Sequence, residues 1–476
     1  MAVNNSSLGC YAGEFWAVSQ AAPMRRVSVT GGNATLMDYC TGPSFASGGF
    51  IADSAFLGGQ VINGSQQQWF TRNSSLDGWS NGVWNQVFSG DVGAPATCFP
   101  AGACGGPYTT VAASPVTRES PYLYVDANGN YAVFVPGVRT NSVGPSWSVN
   151  AATAGTSIPI DDFFIAKPTD SADRINEALQ RGKNLILTPG VYALDRPIFV
   201  RRPGTVVLGL GFPTLIPQNG DLAMAVFRDR GVTVSGILFD AGPKTSEALL
   251  KVGLGRGDDG RRLGAAQMAG DDAPPTLLSD VFFRVGGASA GSVKRALVVN
   301  SDDAILDDLW IWRADHGNGV GWTLNTADTG LVVNGDGVTA YGLAVEHFQK
   351  YEVLWNGDDG TDIFFQNEMP YDPPSQAAWM EAPGVNGYAA FKVGDRVKAF
   401  HGYGMGVYSF FNQGVSIFAA NAFEAPTTLP PGSFQDLLTI FLNANASGGI
   451  TNVIDNTGGS STAANPDTPV TVVSYP

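Results

Sequence analysis

Residues 331–336 read Leu331-Val-Val-Asn-Gly-Asp336, and residues 353–358 read Val353-Leu-Trp-Asn-Gly-Asp358. The two stand 22 residues apart, and a related run, Leu297-Val-Val-Asn-Ser-Asp302, lies 34 residues upstream of the first. A short apolar run that ends in a polar turn is the mark of a strand leaving a sheet. Repeated in phase, with variable insertions between copies, it suits stacked coils of a parallel β-helix, each rung about 4.8 Å above the last. A β-sandwich also gives short strands and turns, but the in-phase Asn-Gly-Asp favours the solenoid. Similar strand and turn units recur at 205–211, 232–240, 279–287, 304–313, 338–347, 397–401 and 415–423.

Working outward, Asp170-Ser-Ala-Asp-Arg-Ile-Asn-Glu-Ala-Leu-Gln-Arg-Gly182 predicts a helix over 171–181, with an Asp or Ser N-cap and a glycine stop. Ile175, Ala178 and Leu179 share one face. A helix just before the first coils is a natural cap for an open sheet end. A solenoid domain is therefore expected over 161–476. Upstream, 137–160 has a linker composition, and 122–135 predicts a hairpin around Asn128-Gly129. Trp16-Ala-Val-Ser19, Arg26-Val-Ser-Val29, Gly49-Phe-Ile-Ala52 and Trp84-Asn-Gln-Val-Phe88 read as coils of a first, partial β-helix over 1–136. It has no capping helix of its own, so the chain is expected to begin part-way through that domain. The fold class is all-β, two tandem solenoids.

The composition agrees. Glycine numbers 60 of 476 residues, and charged residues make up only 14 %. Hydrophobic content of 44 % excludes disorder, glycine without a period of three excludes collagen, and so much glycine excludes long helices. A net charge of −15 argues against a nucleic-acid partner. It leaves a neutral one, and carbohydrate fits. No apolar stretch is long enough to cross a membrane as a helix. Met1 to Ala12 has neither the basic nor the apolar region of a signal peptide. Cysteines 10, 40, 98 and 104 allow three pairings, of which Cys98 with Cys104 and Cys10 with Cys40 is favoured. No His lies near them and no CxxC occurs, so no metal is expected there. Asn-X-Ser/Thr sites at 4, 5, 33, 63, 73 and 445 are compatible with secretion. No cofactor is expected: Gly209-Leu-Gly211 lacks the third glycine and following helix of a dinucleotide fingerprint.

Glu346 and Glu368 share the 22-residue offset of the repeat. In register, they project from equivalent positions of adjacent rungs, roughly 5 Å apart at Cα. Two carboxyls so close have their pKa values pushed apart. This is the arrangement of an acid and a base in glycoside hydrolysis, although two ladder-forming glutamates give the same spacing. Aromatic faces stack on sugar CH groups, and amides and carboxylates bind hydroxyls. On that chemistry Gln66, Gln67, Gln68 and Trp69, with His316, Trp355, Tyr371 and Asp372, are candidate substrate-binding residues. Gln376 and Trp379 lie on the loop after Glu368, and Trp310, Trp312 and Trp322 are further aromatic candidates. Gln20 and Ser47 are neutral; they can orient a water that a carboxylate deprotonates, or form amide ladders between coils.

Several motifs together resemble glycoside hydrolase family 55, the exo-acting β-1,3-glucanases or laminarinases of bacteria and fungi. They are Trp16-Ala-Val-Ser-Gln-Ala-Ala-Pro23, Ser47-Gly-Gly-Phe-Ile-Ala-Asp-Ser54, Gly64-Ser-Gln-Gln-Gln-Trp69, Asn334-Gly-Asp-Gly-Val-Thr-Ala-Tyr-Gly-Leu343, Val345-Glu-His-Phe-Gln349 and Gln366-Asn-Glu-Met-Pro-Tyr-Asp372. The resemblance implies two right-handed parallel β-helices side by side, with an inverting active site in the cleft between them. It implies that Glu368 is the general acid. Glu346, with Gln20 and Ser47 across the cleft, is then the set that holds and activates water. It also implies a secreted protein acting on β-1,3-glucan, taken here as a monomer. Members carry a longer N-terminal domain, so its early coils are expected to be missing here. The alternatives are another β-helix carbohydrase of pectinase or lyase type, or an inactive carbohydrate-binding relative.

Overall fold

The computed structural model describes residues 14–16, 18, 20–36, 48–64, 67–80, 84–100, 105–148, 153–227, 230–255, 273–442 and 447–476. Two parallel β-helices account for most of them. In the larger, Phe163–Ala166, Asn184–Leu187, Val206–Gly209, Thr233–Asp240, Leu277–Val285, Ile305–Arg313, Thr339–Glu346, Gly360–Glu368, Phe400–Ser409 and Phe434–Phe441 stack in parallel. Val470–Tyr475 adds antiparallel to the last of them. A second sheet runs from Ile198–Val200 to Gly448–Ile454, again one strand per rung. Leu, Val, Ile and Phe from both sheets fill the lumen between them.

The Asn-Gly-Asp repeat lies where the second sheet turns back toward the first. Leu331 pairs with Val353 and Val333 with Trp355, which is the 22-residue register. Asn334 donates from Nδ2 to Asn300 Oδ1 at 2.8 Å, and Asn356 to Asn334 at 2.9 Å. The Asp336 and Asp358 amides donate to the aspartate one rung before, each at 2.9 Å. The recurring residues are thus a ladder in which each side chain satisfies the next rung. A Cβ at Gly357 would lie 1.7 Å from the Gly335 carbonyl oxygen, so only glycine fits between the asparagine and aspartate columns.

The helix occupies Ala172–Gln180, one residue inside the predicted span at each end, with the Ser171 hydroxyl accepting from the Arg174 amide. Its Ile175 and Leu179 pack into the core over the first rung, and Ala178 is buried too. The hairpin pairs Tyr122–Val125 with Tyr131–Pro136. Residues 137–160 are not a bare linker. Val138–Ser142 pairs with Ser114–Arg118, and Gly155–Pro159 pairs with the second hairpin strand. Small polar residues there occupy edge strands rather than open chain. Cys98 is disulfide-bonded; Cys10, Cys40 and Cys104 lie outside the described residues.

One feature of the first sheet was not visible as a pattern. Gly236, Asp280, Asp308, Gly342, Phe364, Gly404 and Asp436 all have positive φ, between 54° and 76°. The strand registers place them side by side on successive rungs. At each, the alternation of faces slips by one residue. Tyr341 points out toward the other solenoid while Leu343 points into the lumen. The left-handed column therefore bends the sheet along its length. Gly342 sits there because a Cβ would meet the Phe50 ring at 2.5 Å.

The smaller solenoid docks on this bend. Its strands Met24–Arg25, Gly48–Ala52, Gln68–Arg72, Asn85–Ser89 and Tyr108–Val111 are parallel. Alternation sends Ile51, Trp69 and Phe88 into its own lumen. Phe50, Phe70 and Val87 go outward against Tyr341, Ile363 and Phe364. Beside this apolar contact lies a buried charge cluster. Arg72 forks onto Asp307 (3.1 and 2.9 Å) and onto Glu119 (2.6 and 3.0 Å). Arg25 bonds Asp280 and Asp307. Burial opposes the Glu119 charge, but the Arg72 guanidinium outweighs it and holds the pKa down at about 2.

Candidate active site

Past the bend, Thr339–Glu346 and Gly360–Glu368 return to strict alternation. Val345 and Asn367 face the lumen, and Ala344, Glu346, Gln366 and Glu368 face the cleft. The pairing of Ala344 with Gln366 continues to the strand ends, where the His347 amide donates to the Glu368 carbonyl at 2.8 Å. The two glutamates are therefore neighbours on adjacent rungs.

Glutamines from the smaller solenoid meet them. Gln20 donates from Nε2 to Glu346 Oε1 at 2.8 Å and to Gln366 Oε1 at 3.3 Å. Gln366 donates to Gln67 Oε1 at 2.6 Å, and Gln67 donates to Glu368 Oε1. A chain of amides thus joins one carboxyl to the other through both solenoids. The remaining oxygens are also held, Glu346 Oε2 by the Trp310 indole at 2.8 Å and Glu368 Oε2 by the Tyr371 hydroxyl. Trp310 stacks on Trp312 at 5.1 Å, and Trp312 lies 5.2 Å from the His316 ring, so a partly exposed aromatic shelf runs beside Glu346. His347 donates from Nδ1 to the Met369 carbonyl oxygen, provided the proton is there, and its Nε2 lies 3.9 Å from Glu368 Oε2.

The carboxyl pushed up is Glu346, to about 8. Burial is the larger cause and the charge on Glu368 the next. The sign of the stability effect follows. Below the ordinary value of 4.5 the group is protonated in native and unfolded chains alike, and its contribution is intact. Between 4.5 and 8 the unfolded chain ionises while the native one resists, so stability drains away as pH rises. Glu346→Gln removes this liability. The urea midpoint of wild type relative to the variant is expected to fall from pH 5 to pH 8.5; parallel curves would show that Glu346 ionises normally.

Not every candidate reaches the cleft. Trp69 is fully buried in the lumen of the smaller solenoid, its ring against Gly49. Trp355 is fully buried in the larger one, between Phe391 and Phe400. Neither can touch a sugar; both indoles are lumen filler. Gln68 is buried as well, donating to the Gly404 carbonyl at 2.9 Å and accepting from Tyr408, so it joins the solenoids rather than binding substrate. Asp372 is engaged by a fork from Arg313, at 2.9 and 2.8 Å. That pair anchors the loop that carries Tyr371. Trp379 belongs to the core, and Gln376 bonds backbone at Trp379 and Phe418. His316 is exposed beside Asp315, 2.8 Å away. Ser47 and Gln66 lie outside the described residues. Gln366 was missed as a site residue. Its signal was its place two residues before Glu368 on one strand, hence on the same face.

Paired β-helices with two carboxyls in a cleft walled by amides and indoles define a hydrolase of polysaccharides. Residues 163–368 match the family model described as the LAM55 pectate lyase-like domain. An exo-beta-1,3-glucanase of Streptomyces sp. (strain SirexAA-E / ActE) is 48% identical over 462 residues, covering 97% of this chain and 72% of the relative. The solved structure of sacteLam55A from Streptomyces sp. SirexAA-E superposes with a TM-score of 0.88 at 48% identity, over 97% of this chain and 80% of that one. A glutamate-to-alanine variant of it in complex with glucose superposes at 0.87 and 46% identity, over 97% and 79%. The chain belongs to glycoside hydrolase family 55.

Proposed function

We propose that the protein hydrolyses β-1,3-glucan from a chain end, releasing glucose with inversion at the anomeric carbon. The carrying observation is the pair Glu346 and Glu368 on neighbouring rungs, tied through Gln20, Gln366 and Gln67. The activity of the Streptomyces relative supports the substrate. In this reading Glu368 gives its proton to the glycosidic oxygen as the bond to C1 breaks. The coupled pair holds one proton between them; when it sits on Glu368, Glu346 is ionised, and water held by Gln20 and Glu346, with Ser47, attacks C1 from the opposite face and loses its proton to Glu346. A carboxylate whose pKa is raised toward neutrality is a stronger base than an ordinary glutamate. The Trp310 and Trp312 shelf offers a stacking face for glucosyl units. A polymeric substrate and the disulfide at Cys98 both fit an extracellular protein.

The test is glucose release from laminarin, beside pectin and cellulose, with the first-formed sugar followed by NMR. The α-anomer is expected. A β-anomer would mean retention, and activity on pectin alone would favour the lyase or polygalacturonase reading.

A further inference from the structure

Hydrolysis with inversion leaves the two glutamates in exchanged states: Glu368 has given up a proton and Glu346 has gained one. A proton must return to Glu368 before the next turnover. The amides of Gln20, Gln366 and Gln67 hold hydrogen bonds but do not take up protons near neutral pH, so the chain that joins the carboxyls is no path back. A different set of side chains leads to Glu368 from solvent. His347, its side chain 3 % exposed, places Nε2 3.9 Å from Glu368 Oε2 and 3.9 Å from Asp315 Oδ1. The same Asp315 oxygen lies 2.8 Å from His316 Nδ1, and the His316 side chain is 77 % exposed. Asp315, at 22 %, stands between the open ring and the buried one.

The His347 ring is held still. The Met369 carbonyl can only accept, so Nδ1 carries the proton of the neutral ring and Nε2 is left as the acceptor. Tyr371 meets the ring edge to face at 4.4 Å. Arg313, itself forked onto Asp372, bonds the His347 carbonyl at 3.1 Å. The charged groups at Nε2 are thus Asp315 and Glu368. We infer that His316, Asp315 and His347 form a proton relay that recharges Glu368 after each cleavage. Nε2 of His347 takes a proton delivered from solvent by way of His316 and Asp315, and the ring becomes an imidazolium beside the Asp315 carboxylate. The same N–H gives that proton to the Glu368 carboxylate, which is an acid again, and the ring returns to neutral. Nδ1 keeps its bond to Met369 throughout, so no ring flip is needed. The 3.9 Å gaps close by small side-chain rotations, as apo contacts of this kind do when substrate binds. His347 acts only through Glu368 and is a positioning residue for its proton.

The inference rests on the proposed hydrolysis, and wild-type laminarin activity separates the two: a wild type without activity sinks that reading. His347→Asn keeps an N–H where Nδ1 stood, for Met369, and tolerates the left-handed backbone at this position, φ 69°. It has nothing in place of Nε2. Its first turnover, followed by rapid quench, needs no recharging and is expected within about twofold of wild type. Later turnovers are expected to slow at least about tenfold, toward the lower end of what a positioned proton carrier contributes. Imidazole added at fixed pH should speed the slow phase and leave the first turnover alone. Should His347→Asn fail to fold, Asp315→Asn, nearer the surface, is read in the same way. A first turnover slowed as much as the later ones, a slow phase indifferent to imidazole, or later turnovers at the wild-type rate would overturn the inference.

Discussion

Glu368→Gln is expected to lower kcat on laminarin roughly 10²- to 10⁴-fold, the range that general acid catalysis contributes. The amide has the size of the carboxyl but no acidic proton to give. The fold should be untouched, because both partners of Glu368 tolerate the change. Gln67 still finds an oxygen to donate to. Tyr371, which donates to Oε2, can turn its hydroxyl and accept from the new amide. An unchanged thermal midpoint beside a lost rate is therefore the expected pair of results. A variant hydrolysing laminarin at the wild-type rate would remove Glu368 from the chemistry and leave the glutamate pair as a structural ladder.

The largest expected loss of stability comes from Arg72→Met, about 3–5 kcal/mol, the cost of stripping one partner from a buried ion pair. The guanidinium is fully buried and forks onto two carboxylates, Asp307 of the larger solenoid and Glu119 just past the Ser114–Arg118 strand. Removing it strands Glu119, whose nearest remaining cation is Arg25 at 3.9 Å. Asp307 keeps Arg25 at 2.8 Å and suffers less. Adding Asp307→Asn should therefore recover little, while adding Glu119→Gln should recover much of the loss. Denaturant midpoints of the single and double variants read this directly. A midpoint for Arg72→Met within 1 kcal/mol of wild type, by the scale of exposed pairs, would mean that water reaches the cluster.

The solenoid could be read from the chain because its ladders force identical residues into identical positions. Asn334 and Asn356 recur because each hydrogen-bonds the rung before. The same register exposed Glu346 and Glu368. What could not be read was the partner of each side chain across the cleft. Gln20 and Glu346 are 326 residues apart, and no local pattern joins them. The tryptophans misled for a different reason. A large aromatic in a strand is equally at home in a lumen or a cleft, and strands as short as Gln68–Arg72 and Val353–Trp355 do not show on which face their alternation starts. In the first sheet it is broken on seven rungs by residues of positive φ, only three of them glycine. Aspartate and phenylalanine give no warning of it. Residues 137–160 misled by composition, since small polar residues suit an exposed edge strand as well as open chain.

The same column of left-handed residues works as a ruler. Glu346 stands four residues after Gly342, Glu368 four after Phe364, Trp312 four after Asp308 and Tyr408 four after Gly404. The loops between these rungs differ widely, the registered offsets being 34, 22 and 40 residues. Chain length can therefore be gained or lost between rungs without moving a catalytic carboxyl, because its position is counted from the crease and not from the preceding turn. Loops over the cleft are left open to variation in the substrates they admit, while the chemistry beneath them keeps one address.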